Sequence, residues 1–298
     1  MKVERTEVED VQMNEQVRQL QKELHRAHYV VEEGLATVLH LAQRLARPLL
    51  LEGPAGVGKT ALAKALATVR SVNLVRLQCY EGLDASQALY DWDYPKQLLT
   101  ARTAFADGDV NQASLYSEPF LIERPLLRAL RETPAPVLLI DEVDRADEEF
   151  EALLLEFLSE YQMTIPELGT FRAVEPPIVM LTSNRTRDLS DALRRRCLYA
   201  WVDYPSPEQE AAIISLHVPH IAHELAKQIA RGMRRLRKLS LLKPPGMAES
   251  IDFAKALHEL GTQELDEAVI RLTLGCLLKT EEDLNFVRER GLDVLWNA

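Results

Sequence analysis

The octet Gly53-Pro54-Ala55-Gly56-Val57-Gly58-Lys59-Thr60 fits the pattern G-x-x-x-x-G-K-[ST], with both glycines, the lysine and the hydroxyl in place. The apolar run Pro48-Leu49-Leu50-Leu51 before it reads as a buried strand, and Ala61 to Ala67 after it reads as a helix of strong formers. In that setting the backbone N–H groups turn inward on a phosphate and the helix N-terminus adds its positive partial charge. Gly53, Pro54, Ala55, Gly56, Val57, Gly58, Lys59, Thr60 and Ala61 are therefore expected to hold a nucleoside triphosphate, ATP by expectation. Lys59 is expected to reach the β- and γ-phosphates, and Thr60 to ligate Mg2+.

A chain of 298 residues accommodates one α/β domain and a smaller companion, so any macromolecule it acts on must be gripped by insertions or brought by a partner. Lys plus Arg number 35 against 46 Asp plus Glu, a net charge of −11, which argues against life on a nucleic-acid backbone. Cys79, Cys197 and Cys276 lie far apart without metal-like spacing and read as core residues in a reducing compartment. No apolar stretch approaches the roughly 20 residues a membrane helix needs, and Met1-Lys2-Val3-Glu4-Arg5 is too charged for a signal peptide, so the expected place is the cytoplasm.

Residues 1–28 are polar, with Val11, Val17, Leu20 and Leu24 at helical spacing, and read as a peripheral N-terminal helix. A second helix, about Val31 to Leu45, carries Leu35, Val38, Leu39, Leu41 and Ala42 on its expected buried side. Val72 to Cys79 alternates as a second strand. The stretch 80–116 then breaks the strand–helix rhythm and holds the aromatics of Tyr90-Asp91-Trp92-Asp93-Tyr94-Pro95, which either pack on the chain's own core or meet a partner.

After a helix at Arg124 to Leu130, Val137-Leu138-Leu139-Ile140 closes on Asp141-Glu142. A run this apolar is a strand buried on both faces, and ligands sit at the carboxyl ends of such strands. Asp141 is placed to hold Mg2+ alongside Thr60, and Glu142 to orient and polarise the attacking water. Asp144, Asp147, Glu148 and Glu149 read instead as carboxylates favouring a helix start. That helix, about Asp147 to Glu160, carries Phe150, Leu153, Leu154, Phe157 and Leu158 as one stripe. Tyr161 to Ile165 and Thr170 to Val174 flank Pro166-Glu167-Leu168-Gly169, a hairpin with a four-residue turn. The strand Ile178 to Ser183 ends at Asn184, whose amide suits positioning a water. A short helix, Leu189 to Arg195, delivers Arg194-Arg195-Arg196 to a last strand, Cys197 to Val202; taken alone, the three arginines read equally well as complements of a helix dipole.

Beyond Pro205 the pattern is helical, at about 207–216, 220–238, 247–260, 265–277 and 281–297. His217, His220 and His223 are interrupted by Pro219 and lack an interleaved acidic or cysteine ligand, which speaks against a metal site. Arg231, Arg234, Arg235, Arg237 and Lys238 read as a solvated or intersubunit basic face.

This order of phosphate loop, Asp-Glu strand, Asn-ending strand, arginine-bearing helix and helical lid resembles the AAA+ ATPases over residues 29–298. The 80–116 stretch and the hairpin at 161–175 look like the helix-2 and pre-sensor inserts of the MoxR branch. Gln78 to Asp84, the Tyr90-to-Pro95 aromatics and Lys243-Pro244-Pro245 look like its CoxD-type members. The resemblance implies an α/β fold, a five-stranded parallel sheet flanked by helices over 29–204, with an all-helical lid at 205–298. It also implies a homo-oligomer, usually a hexameric ring, with ATP sites shared between subunits. Asn184 matches sensor 1, and Arg196, with Arg195 as alternate, matches the finger that enters the neighbour's site. Around Pro244 to Ser250 there is no arginine for the sensor 2 role, and Lys243 is the nearest substitute.

The expectation that follows is an ATPase chaperone that remodels a client in metalloenzyme maturation, CoxD-like relatives being linked to molybdenum-dependent carbon monoxide dehydrogenases and to a von Willebrand factor A domain partner. A DNA-acting motor is the rival, disfavoured by the acidic charge. A nucleotide-dependent scaffold is the other, disfavoured by the intact Glu142, Asn184 and arginine set.

Overall fold

The computed structural model describes residues 15–107 and 115–292. Val11 and the first half of the expected N-terminal helix lie outside them; helix α1 runs over 15–26 and buries Val17, Leu20 and Leu24. The chain divides into two compact units, one comprising the described part of Met1–Glu23 with Glu32–Glu52 and Thr60–Trp201, the other Leu24–Val31, Gly53–Lys59 and the chain from Val202 onward.

Helix α2 (Glu33–Arg44) buries Ala36, Leu39, His40 and Ala42, while Leu35, Val38 and Leu41 are only half-buried. Leu39 and Ala42 of the expected stripe are thus buried, and Ala36, three residues before Leu39, joins them as fully enclosed, with His40 at the margin of the buried face. Strand β1 (Leu49–Glu52) is buried at every position and leads through the glycine loop into α3 (Lys59–Arg70), followed by β2 (Leu74–Gln78).

The 80–116 stretch is ordered over its described residues. A capping box in which Asp84 accepts from Gln87 N starts the short helix α4 (Ala85–Ala88). Strand β3 (Tyr90–Trp92) precedes α5 (Tyr94–Asp107), and pairs antiparallel with β4 (Leu121–Glu123). The aromatics divide: Trp92 is buried, edge-on to Tyr90 and Tyr116 at 6.2 and 5.3 Å, while Tyr94 is 60% exposed.

Helix α6 (Pro125–Arg131), with Pro at its first turn, leads to β5 (Val137–Asp141), all five residues of which are buried. Each such Leu or Ile contributes about 1.5–3 kcal/mol relative to exposure. Helix α7 (Glu148–Glu160) is capped by Asp147, which accepts from Phe150 N at 2.9 Å. The hairpin β6 (Gln162–Ile165) and β7 (Gly169–Arg172) follows. Its turn is three residues, not four: Gly169, at φ 87°, pairs with Ile165 and belongs to the ladder. Strand β8 (Ile178–Ser183), helix α8 (Asp191–Arg196) and β9 (Leu198–Trp201) complete the unit.

The five-stranded sheet has the order β2-β5-β8-β1-β9 with every pair parallel. Register aligns the carboxyl ends: Gln78 lies opposite Asp141, and Glu52 opposite Ser183 and Trp201. Side chains from β2, β5, β8, α6, α7 and α8 form one core against it, with Cys79 and Cys197 buried within.

The second unit is helical from Pro207 on: α9 (Pro207–His217), α10 (His223–Leu236), α11 (Met247–Glu259), α12 (Glu267–Leu277) and α13 (Glu281–Arg290) enclose a core around Ile214, Ile229, Met233, Phe253 and Leu274. Helix α13 stops earlier than expected because Gly291 takes φ 85°, and 293–298 lie outside the described residues. Arg237 is a correction to the expected basic face. Its side chain is 7% exposed, bonds Glu210 through Nη1 and Nη2 at 2.6 and 2.9 Å, and stacks 4.3 Å over Tyr204. A buried carboxylate needs such a fork, so Arg237 is withdrawn from the surface.

Candidate nucleotide site

At the carboxyl edge of the sheet, Thr60 Oγ1 lies 3.1 and 3.2 Å from the two oxygens of buried Asp141. Thr182 Oγ1 donates to Asp141 Oδ1 at 2.5 Å and accepts from Glu142 N at 2.8 Å. Arg76 closes the other side, donating to Asp141 Oδ2 from Nε and Nη2 at 2.9 and 2.6 Å. A carboxylate and two hydroxyls are hard oxygen donors of the kind Mg2+ takes.

Glu142 stands one residue beyond the strand at φ 54°, ψ 50°, a left-handed conformation that glutamate seldom adopts. Such local strain persists only where neighbours fix it, and clusters at working sites. The neighbours here are Gln78 Nε2 and Arg145 Nη1, both donating to Glu142 Oε2 at 3.1 Å.

Asp144 is not a solvated helix-start acid, contrary to its sequence reading. It is buried, and its Oδ2 accepts from Asn184 N at 3.1 Å and from Thr186 N and Oγ1 at 2.8 Å each. It fixes the backbone that carries Asn184, which is half-buried. Glu151, one turn into α7, accepts from Ser190 N at 3.0 Å and is ion-paired with Arg187 Nη1 at 2.5 Å, holding the segment that leads into α8.

The three arginines of α8 have different surroundings. Arg194 Nη2 bonds Glu52 Oε1 at 3.0 Å, and Glu52 is 1% exposed. Arg195 is exposed and Arg196 half-buried, and among the described residues neither side chain makes a hydrogen bond or an ion pair.

The glycine loop 53–59 is shaped by close approaches. A Cβ on Gly53 would fall 1.9 Å from Val202 O, and one on Gly56, at φ 78°, would fall 2.8 Å from Gly246 Cα. Met247 N donates to Gly56 O at 2.8 Å and Tyr204 Oη to Ala55 O at 3.1 Å, so the loop's outer carbonyls are held. Inside it, buried Lys59 donates from Nζ to Gly53 O and Pro54 O at 2.7 Å each.

A family model, the AAA domain of the dynein-related subfamily, matches residues 48–197. The chain belongs to this family. Among its relatives, the gas vesicle ATPase GvpN of Haloferax mediterranei is 29% identical over 64% of the chain, which spans 57% of that protein. The denitrification regulatory protein NirQ of Pseudomonas aeruginosa is 26% identical, over 68% of the chain and 72% of the relative. A RuvB mutant of Thermotoga maritima shares the fold at TM-score 0.50 and 19% identity, over 86% of the chain and 72% of its own.

For an AAA domain the residues that sequence reasoning missed are Arg76, Gln78, Thr182 and Glu52. The signal for Arg76 and Gln78 was present: they sit two apart on β2, so both face the same side as the strand end. Thr182 and Glu52 carried none, because their roles depend on register between strands. Among the described residues no helix is long and apolar enough to cross a membrane.

Proposed function

We propose that this AAA domain hydrolyses ATP in an assembled ring and uses the cycle to remodel a client protein. The observation that carries the reading is the Thr60–Asp141 contact with Glu142 one residue on, in a chain whose loop 53–59 runs directly into Thr60.

In this reading the loop N–H groups and Lys59 bind the phosphates, Lys59 leaving Gly53 O and Pro54 O for them. Thr60 and Asp141 hold Mg2+, which when bound neutralises phosphate charge. Glu142 takes the proton of the attacking water at its carboxylate, a contribution of about 10²–10⁴ in rate. The Asn184 amide orients that water. Arg196, with Arg195 as the alternate, is uncommitted within the unit and enters the site of an adjacent subunit, a contribution of about 10³–10⁵ where such a finger is used.

The resemblance to the MoxR branch and its CoxD-type members supports a chaperone of metalloenzyme maturation with a von Willebrand factor A domain partner. The inserts at 80–116 and 161–175 are the surfaces for gripping such a client.

Steady-state phosphate release tests the reading. Specific activity should rise with protein concentration as rings form, Glu142→Gln should retain ATP with turnover lowered at least a hundredfold, and Lys59→Ala should lose ATP binding. Salt-sensitive stimulation by duplex DNA would replace the protein client with a nucleic-acid track.

A further inference from the structure

The turn between α2 and β1 carries an arginine, Arg47, whose hydrogen-bond partners among the described residues are all main-chain carbonyls of the finger segment. Arg47 Nη2 donates to Arg195 O at 2.8 Å, Arg196 O at 3.0 Å and Cys197 O at 3.4 Å, and Nε donates to Arg196 O at 3.3 Å. None of these acceptors is a carboxylate, so the residue is not there for an ion pair. The last carbonyls of a helix lack intrahelical donors, and a cation at that end also meets the negative end of its dipole. Nη2 lies within reach of all three carbonyls and Nε adds a second bond to Arg196 O, so the rigid guanidinium fixes the segment from two nitrogens, where a lysine ammonium on its flexible stem would hold it from one.

The turn is itself anchored. Tyr161 Oη donates to Ala46 O at 2.9 Å, Arg47 N to Ala42 O at 3.0 Å, and Leu198 N to Pro48 O at 2.8 Å. Arg47, Tyr161, Ser159, Arg195 and Arg196 line one open recess of about 430 Å³. The two uncommitted arginines therefore leave a backbone whose last helical carbonyls are held by the Arg47 guanidinium, just ahead of the point where Leu198 N joins β9 to Pro48 O at the start of β1.

We propose that Arg47 is the positioning residue of the trans-acting finger: by holding the carbonyls of Arg195, Arg196 and Cys197 it sets the direction in which those arginines leave α8 toward the nucleotide of a neighbouring subunit. This rests on the reading that they act in trans. Arg47 touches no substrate and acts only through the arginines it orients. Its own subunit keeps a complete phosphate loop, Asp141 and Glu142.

Mixing subunits tests this with the full-length chain. Arg47→Ala alone should lose at least tenfold in kcat while KM for ATP stays within about twofold. Combined one to one with Glu142→Gln, it should gain severalfold over the mean of the two alone, because each Glu142→Gln subunit still offers a well-placed finger to an intact site. Arg47→Lys should fall between Arg47→Ala and the wild type, and takes over the test if Arg47→Ala does not fold. Wild-type kcat in Arg47→Lys and Arg47→Ala would overturn the proposal. So would an unrescued Arg47 loss in mixtures where the double variant Arg195→Ala/Arg196→Ala is rescued by Glu142→Gln; the finger reading would then stand. No rescue of either would overturn the finger reading and the proposal with it.

Discussion

Arg194 Nη2 reaches Glu52 Oε1 at 3.0 Å, and this one bond separates Arg194 in role from the two arginines that follow it. Glu52 is buried at the end of β1, and Arg194 is the nearer of its two cationic partners, Arg185 Nε standing 4.0 Å from Glu52 Oε2. Removing one member of a buried pair leaves an uncompensated charge, at about 3–5 kcal/mol when both are enclosed. Arg194 is 32% exposed, which puts Arg194→Ala at about 2–3 kcal/mol. Urea denaturation should show that loss, whereas Arg195→Ala and Arg196→Ala should unfold within about 0.5 kcal/mol of the wild type.

The sheet and the phosphate loop were legible because each rests on local pattern. Continuous apolar runs gave β1, β5 and β8, and the octet has a fixed spacing. What stayed hidden depends on pairing across the chain. Asp144, set among other acids before a helix, looked like part of a solvated helix start, yet it is buried against Asn184 and Thr186, some forty residues later. Arg237 looked like one more charge in a basic run until Glu210, 27 residues before it, withdrew it from the surface. Arg194, Arg195 and Arg196 are identical letters whose surroundings are set by β1 and the turn before it.

The cysteines should be silent in the folded state. Burial, reinforced at Cys79 by the nearby carboxylates of Asp141, Asp144 and Glu142, pushes the thiols of Cys79 and Cys197 up to about 12. The neutral thiol is thus favoured by folding, a contribution fully present below the unfolded value near 8.5 and lost as pH rises toward 12. At pH 8 their thiolate fraction is about a thousandfold below that of a free cysteine. Iodoacetamide labelling followed by mass spectrometry should mark Cys276 alone in native protein and all three after denaturation.

Asp283 makes the helical unit sensitive to acid. It is buried, which by itself raises a carboxyl, but hydrogen bonds from Leu242 N and the Thr280 hydroxyl, with Lys243 N, hold it below the usual carboxylate range. A depressed carboxylate contributes stability above its unfolded value near 3.9, and the contribution disappears as pH falls through the lower folded value. Asp283→Asn turns one acceptor into a donor facing an N–H, and should cost about 1–3 kcal/mol at pH 7. In thermal unfolding followed by circular dichroism, the gap between variant and wild type should narrow once pH drops below about 4.

Gly246 should matter to nucleotide binding although it lies 190 residues from Gly56 in sequence. Its φ of −89° suits any residue, so a side chain there is excluded by space and not by backbone strain. A Cβ would come 2.7 Å from Gly56 Cα and 2.8 Å from Gly56 O, both main-chain atoms that cannot rotate aside. Met247 N, which donates to that same Gly56 O, would be pushed away with them. Gly246→Ala should therefore displace the phosphate loop and weaken binding of a fluorescent ATP analogue at least tenfold. Gly261→Ala, where a Cβ meets nothing within 4 Å, should leave that affinity unchanged, with only its φ of 68° to destabilise the helix end. Equal affinity in Gly246→Ala and the wild type would show that the loop does not need this contact to hold its shape.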